Sequence, residues 1–286
     1  MPKYIDIHTH VNFKAFDKDR DEVIKRALQN DTWLINVGTQ INTSRVAVKL
    51  AHKYNEGVYA IVGLHPIHTG VSFHDKQELG EEGGEFTSRG EILDRGAYIE
   101  LLKDSKVVAI GECGLDYFHI DKESIEKQKK VFMEQVEIAN EIGKPLMLHI
   151  RSNPKDKSVN AYADVLQILK EYDRVHSKGG GVKGDVHFFA GSIEDARAFL
   201  DFGFTLSFTG VITFTNDYDV IIENTPLSMI MSETDAPYVS PVPYRGKRNE
   251  PSYVREVVKK IALVKNLPEE EVAKAIISNA KRVFGI

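Results

Sequence analysis

The chain has 286 residues, a formal charge of −5 and one cysteine, Cys113. That excludes an internal disulfide, and with no run of 18 apolar residues no transmembrane helix is expected. The acidic balance leaves any nucleic-acid contact to a local basic patch, and Met1-Pro2-Lys3-Tyr4-Ile5-Asp6 lacks the pattern of a signal peptide, so a cytoplasmic location is expected.

Strand-like apolar runs are predicted at 4–8, 33–37, 58–63, 107–112, 146–149, 185–188, 204–207 and 228–231. Several are continuous and β-branched, as parallel strands buried on both faces should be. Between them lie helical stretches at 17–29, 43–54, 91–103, 125–142, 162–172, 193–201 and 217–223, with two more at 252–265 and 269–279. Pro268 stands where the last of these should begin. Eight βα units on one rhythm, with no linker and no fixed-period repeat, predict a single α/β domain over residues 1–286, a TIM (β/α)8 barrel. Two stretches break the rhythm: Thr69 to Gly90, polar and Gly-rich, and Ser177 to Gly184 with its Gly179-Gly180-Gly181 run. Both read as surface loops; the first follows a strand on the catalytic face, so it is also a candidate lid.

The chemistry gathers at strand ends. Side chains two apart on a strand share a face, so His8 and His10 can aim at one spot at the barrel mouth, where barrel active sites lie. Asp6 shares their parity but lies deeper, where it would orient a histidine. Glu112 ends an apolar run, a costly place for a carboxylate unless it is paired or metal-bound, and its two oxygens could bridge two metals. Cys113 has the opposite parity and reads as a small buried hydrophobe. His149 and His187 also end strands, and each alone could equally be structural. Asp235 follows the eighth strand, where a turn with a helix cap is the plain alternative. The coincidence carries the argument: five of ten histidines, His8, His10, His65, His149 and His187, fall at or just past strand ends. His52, His68, His74, His119 and His176 are scattered and receive no role. Imidazole and carboxylate without thiolate suit Zn, Mn, Fe, Co or Ni, with Mg also compatible.

At these residues the chain resembles the TatD-type deoxyribonucleases, a branch of the amidohydrolase-like barrels. The motifs run in order: Asp6-Ile7-His8-Thr9-His10; Gly63-Leu64-His65-Pro66; Gly111-Glu112-Cys113-Gly114-Leu115-Asp116-Tyr117; Pro145-Leu146-Met147-Leu148-His149-Ile150-Arg151; His187; Glu233-Thr234-Asp235-Ala236-Pro237; Arg245-Gly246-Lys247-Arg248-Asn249-Glu250-Pro251; and Asn279-Ala280-Lys281-Arg282-Val283-Phe284. The resemblance implies two divalent metal ions (Mg, Mn or Zn), one at His8, His10, Glu112 and Asp235 and one at Glu112, His149 and His187, with Glu112 bridging. It implies a DNA phosphodiesterase, acting from a 3′ end, with Glu112, Asp235 and His65 in catalysis and His65 beside the substrate phosphate. Arg245, Lys247 and Arg248 sit in the loop after the eighth strand and form a candidate phosphate-binding patch. Arg151, in phase with His149, is a candidate phosphate clamp or a structural salt bridge. Asp116 and Tyr117 are expected to line the pocket, and Glu233 is a further ligand or a surface carboxylate. The tail from Asn279 should cap the barrel. DNA is the only expected partner, with neither a membrane nor an obligatory protein.

Two departures stand out. The family's usual His-Cys-Phe-Ser/Thr-Gly after the sixth strand is here His187-Phe188-Phe189-Ala190-Gly191. Strand alternation predicts that Phe188 packs on the surrounding helices. The Thr69–Gly90 stretch is also longer than is typical. An amide, lactone or phosphoester hydrolase of small metabolites would use the same ligands. A non-catalytic barrel with structural metals fits less well, because structural sites are closed by four protein ligands.

Overall fold

The computed structural model describes residues 2–70, 72–74, 86–88, 90–118, 122–153, 159–176 and 181–286. Its strands are β1 (Tyr4–Thr9), β2 (Thr32–Val37), β3 (Val58–Val62), β4 (Val107–Asp116), β5 (Leu146–Arg151), β6 (Gly184–Val186), β7 (Thr205–Phe208) and β8 (Ile230–Ser232). They pair in that order, all parallel. The sheet returns to its start: Asp235 N–H donates to His8 O at 2.9 Å and His10 N–H to Ala236 O at 2.8 Å. This is the (β/α)8 barrel that the eight-unit rhythm predicts.

Helices α1 (Arg20–Gln29), α2 (Ile41–Ala51), α3 (Arg95–Leu102), α4 (Lys122–Ile142), α5 (Ala161–His176), α6 (Ile193–Phe202) and α7 (Asp219–Asn224) alternate with the strands. After β8 come α8 (Val254–Lys265) and α9 (Glu269–Phe284). Local chemistry sets their limits. Ser192 and Asp195 form a reciprocal capping box at the start of α6, and Gly203 ends it at φ 100°. Three glutamates open α9 and Lys281 and Arg282 lie in its last turn, matching the helix dipole. No helix among the described residues is long and apolar enough to cross a membrane.

β1 and β4 are buried at every position, which explains the apolar residues between their few polar side chains. β4 outruns its predicted end by four residues because Gly114, at φ 139°, lets it lie against β5. A Cβ there would meet His149 O at 2.1 Å. Helix α3 starts later than predicted: Asp94 accepts from Ala97 N–H at 3.1 Å and caps it, while Glu91 accepts from Tyr98 Oη–H at 2.8 Å. At the other end of the barrel, the Asn279 amide donates to Leu227 O at 2.9 Å and Ile230 O at 2.8 Å, so the tail does cap the base. Of the candidate lid, Ser72–His74 and Phe86–Ser88 form an antiparallel pair. Most of the rest lies outside the described residues, as do residues 177–180 of the second loop.

Candidate metal centre

Side chains from the ends of five other strands gather around Glu112 on β4. One of its oxygens, Oε2, lies 3.4 Å from His8 Nε2 and 3.7 Å from His10 Nε2. The other, Oε1, lies 2.7 Å from His149 Nδ1, 3.3 Å from His65 Nε2 and 3.5 Å from His187 Nε2. Asp235 Oδ1 closes the first side, 3.3 Å from His10 Nε2 and 3.9 Å from His8 Nε2. The structure therefore brings together all six residues expected as ligands, and His65 with them. Among the described residues three overlapping triads could each hold a cation: His8, His10 and Glu112; His8, His187 and Asp235; His65, Glu112 and His149.

Hydrogen bonds on the far side of each ring set which nitrogen faces inward. His10 Nδ1–H donates to Val37 O at 2.9 Å, so its Nε2 lone pair points at His8 Nε2, 3.1 Å away. His187 Nδ1–H donates to Glu233 Oε2 at 2.9 Å, and Phe188 N–H donates to Glu233 Oε1 at 2.6 Å. Glu233 is fully buried, so it is neither a surface carboxylate nor aimed at the cluster; it holds His187. Asp116 does the same for His149, with Oδ2 2.9 Å from Nε2. Inward ring nitrogens gathered around buried carboxylates fit a divalent metal ion, since a cation there takes the place of the protons that the carboxylates otherwise hold on them.

The electrostatics agree. Burial opposes charge on Glu112, yet His65, His8 and His187, with the His149 hydrogen bond, hold its carboxyl well below the usual range. Burial also works against His149 and His187, but their carboxylate partners raise the first to about 9 and the second to about 10. His8 goes the other way: burial and the neighbouring His187 lower it to about 4. Asp116 falls to about 2 despite burial, through its bond to His149.

Two glutamines that sequence reasoning passed over hold this geometry. Gln135 on α4 accepts from Leu64 N–H and donates to Leu64 O, both at 2.9 Å. Seven residues earlier, Gln128 accepts from Asp116 N–H at 2.8 Å and donates to Asp116 O at 3.0 Å. Each amide pairs with the main chain as a neighbouring strand would. One clamps the residue before His65, the other Asp116 itself. The available signal was two glutamines on the buried face of α4, among Val131, Phe132 and Val136.

Two expectations need correcting. Asp6 does not touch an imidazole. It accepts from His8 N–H at 3.2 Å and Thr234 N–H at 2.9 Å, stapling β1 to the end of β8. Phe188 does not pack on the helices, because β6 stops at Val186 and strand parity ends with it. Phe188 turns at φ 44° and its ring lies nearly perpendicular to that of His187, with centroids 6.0 Å apart. Phe189 is the residue that packs outward, 5.4 Å from Tyr162. Cys113 is buried as expected.

The candidate substrate cations divide. The Arg151 guanidinium rests 3.7 Å over Phe118, and that of Arg245 4.0 Å over Phe214. Lys247 is exposed. Arg248 instead closes on Asp19 through two bonds of 3.0 and 2.5 Å and donates to Ala15 O at 2.7 Å. It pins the loop after β8 to the segment before α1.

The model of the family described as TatD related DNase matches residues 5–285. The metal-dependent hydrolase YabD of Bacillus subtilis (strain 168) is 37% identical over 284 residues, 98% of each chain. The metal-dependent hydrolase YcfH of Escherichia coli (strain K12) is 30% identical over 290 residues, 99% of this chain and 96% of its own. Among solved structures, YjjV, a TatD homologue from Escherichia coli K12, superposes with a TM-score of 0.76 at 26% identity, covering 99% of this chain and 98% of its own. A TatD family hydrolase from Entamoeba histolytica shares the fold, with a TM-score of 0.78 at 23% identity and coverage of 99% and 98%. A family match over nearly the whole length, on a barrel whose strand ends meet at Glu112, means that the chain belongs to the TatD related DNase family of metal-dependent hydrolases.

Proposed function

We propose that this protein hydrolyses phosphodiester bonds of DNA in the cytoplasm, releasing nucleotides from a 3′ end, at a centre built for two divalent ions. The observation that carries the reading is the division of Glu112. Its Oε2 faces His8 and His10, and its Oε1 faces His65, His149 and His187. One ion would sit among His8, His10, Glu112 and Asp235, the other among Glu112, His149 and His187. When bound, the ions supply Lewis acidity toward a phosphoryl oxygen and toward the attacking water.

The chain's own groups do the rest. Asp235, whose carboxyl is held low by the neighbouring His10 and His187 against the cost of burial, is ionised and accepts the water's proton. His65 accepts Ile67 N–H on Nδ1 at 3.2 Å, so its proton is on Nε2, facing the cluster, where it donates to a phosphate oxygen. Arg151, Arg245 and Lys247 attract the polyanion; Arg248, matched by Asp19, contributes chiefly by holding the loop.

Digestion of end-labelled single- and double-stranded DNA by the metal-loaded protein, with metal analysis, tests this. Stepwise release of nucleotides from the 3′ end is expected. A protein that binds two metals, leaves DNA intact and opens a chromogenic lactone would refute the DNA substrate and leave the hydrolase.

A further inference from the structure

The exposed faces of the rim beside the metal centre bear one arrangement that neither packing nor charge attraction alone explains. Phe214 ends the short turn Gly210–Thr213 that follows β7, and 44% of it is exposed. Val242, in the loop after β8, is 45% exposed and donates its N–H to Thr213 Oγ1 at 2.9 Å, so the two loops meet there. Arg245 lies over the Phe214 ring at 4.0 Å and is oriented by donating Nη1–H to Ser240 O at 2.9 Å. Most arginines near this face are matched by carboxylates: Arg248 by Asp19, Arg20 by Asp17, Arg26 by Glu250. Arg245 meets a carbonyl and an aromatic face, so its charge is uncompensated among the described residues. Its loop starts at Asp235 of the cluster, and Tyr238 of that loop lies 6.4 Å from His10.

We infer that Phe214 and Arg245 form a stacking platform for a nucleobase next to the phosphate held at the centre. The inference rests on the nuclease reading above. A phosphate alone would call for a cation, and an exposed ring under it would add nothing. An oriented guanidinium on an exposed ring, beside an apolar Val242, suits a flat apolar group carrying a nearby negative charge. Stacking of a base on an aromatic or guanidinium plane tolerates any sequence, because every base has a π face. It also requires the base to be unpaired, so the platform selects frayed or single-stranded ends.

Binding of a phosphorothioate decanucleotide, which resists cleavage, tests the idea on the metal-loaded protein. One copy carries 2-aminopurine near its 3′ end, and one has an abasic residue at the same place. Wild-type protein should quench the 2-aminopurine and bind the abasic strand about fivefold more weakly, the low end of base-stacking effects. Phe214→Leu should lose the quench and bind both strands alike, at the abasic level, with the same dependence on salt as wild type. Phe214→Tyr, which keeps a ring, should restore both. Arg245→Lys keeps the charge and should weaken the intact strand alone. Equal wild-type affinity for intact and abasic strands, or an unaltered quench in Phe214→Leu, overturns the platform, and DNA cleavage by the same protein would then leave the nuclease reading standing. Failure of the wild type to bind or cleave any strand overturns both.

Discussion

Replacing Gln135 by Met should weaken the fold and loosen His65 in one step. The Gln135 amide is buried and makes two 2.9 Å bonds to the main chain of Leu64. Met has a similar volume, so packing around Val131, Phe132 and Val136 changes little and the loss isolates the amide. A buried N–H and a buried C=O are left unpaired, at about 1–3 kcal/mol each. Roughly 1 kcal/mol returns from burying the more apolar side chain. The net cost is about 1–5 kcal/mol. At about 2–4 °C per kcal/mol for a chain of roughly this size, Tm should fall by about 2–20 °C. Urea unfolding should show a lower midpoint with an unchanged slope. Because Leu64 leads directly into His65, turnover should fall as well, and at temperatures where the variant is fully folded. A variant with wild-type Tm and wild-type turnover would show that the paired amide bonds hold neither the strand end nor the histidine.

Glu112→Gln should leave circular dichroism unchanged while metal content and hydrolysis are lost, and a variant that keeps two metals and full turnover would refute the bridging role. Glu233→Gln keeps the shape but places an amide donor against His187 Nδ1–H or Phe188 N–H, so affinity for the ion at His187 should drop by about 10–100-fold, as read by competition with a chelator. The metal-free protein should lose stability as pH rises above about 6.5. His149 and His187 are raised to about 9 and 10, so their contribution is complete below their unfolded pKa of about 6.5 and lost as pH rises through those values. On the acid side two groups oppose each other: His8, lowered to about 4, loses its contribution as pH falls from about 6.5, while Asp185, raised to about 7, regains its own over the same range. Thermal melts in chelator from pH 6 to 10 check the alkaline loss, and a Tm that stays level or rises over that range would contradict it. Replacing Arg245 and Lys247 together by Ala should lower the salt slope of single-strand binding by about 1.4, at about 0.7 per phosphate contact; an unchanged slope would show that neither meets the backbone.

What the sequence could reveal depended on how far each residue's role follows from its own strand. His8 and His10 share a face by spacing alone, and Glu112, His149 and His187 end apolar runs, so the cluster was legible as a set of strand termini. Asp116 has the parity of Glu112, yet its bond to His149 needs β4 to continue through Gly114, which only the close approach to His149 O reveals. Glu233 sits two residues before Asp235, and alternation would put both in one pocket. Instead Asp235, at φ 54°, turns to the cluster while Glu233 stays beneath His187. Phe188 misled for the same reason: strand parity was carried past a strand that ends at Val186. Gln128 and Gln135 act across the barrel wall, on residues 12 and 71 positions away, and no local pattern encodes that pairing.

Building the centre on strand ends also bears on how the barrel closes. β6 and β8 have three residues each and β7 four, so ladder bonds on that side are few. Side chains below the centre make up the difference. Asp185 accepts from Thr205 Oγ1–H and Ser207 Oγ–H at 2.6 Å each, joining β6 to β7. Glu233 joins the end of β8 to His187, and Asp6 joins β1 to Thr234. These staples lie under the side of the barrel where His8, His187 and Asp235 meet. An ion held by His8, His10, Glu112 and Asp235 would tie β1, β4 and the end of β8 across that seam, and would stabilise the fold in proportion to the logarithm of its concentration over its dissociation constant. The side chains that prepare the centre for hydrolysis are thus the ones that close the barrel where its strands are shortest.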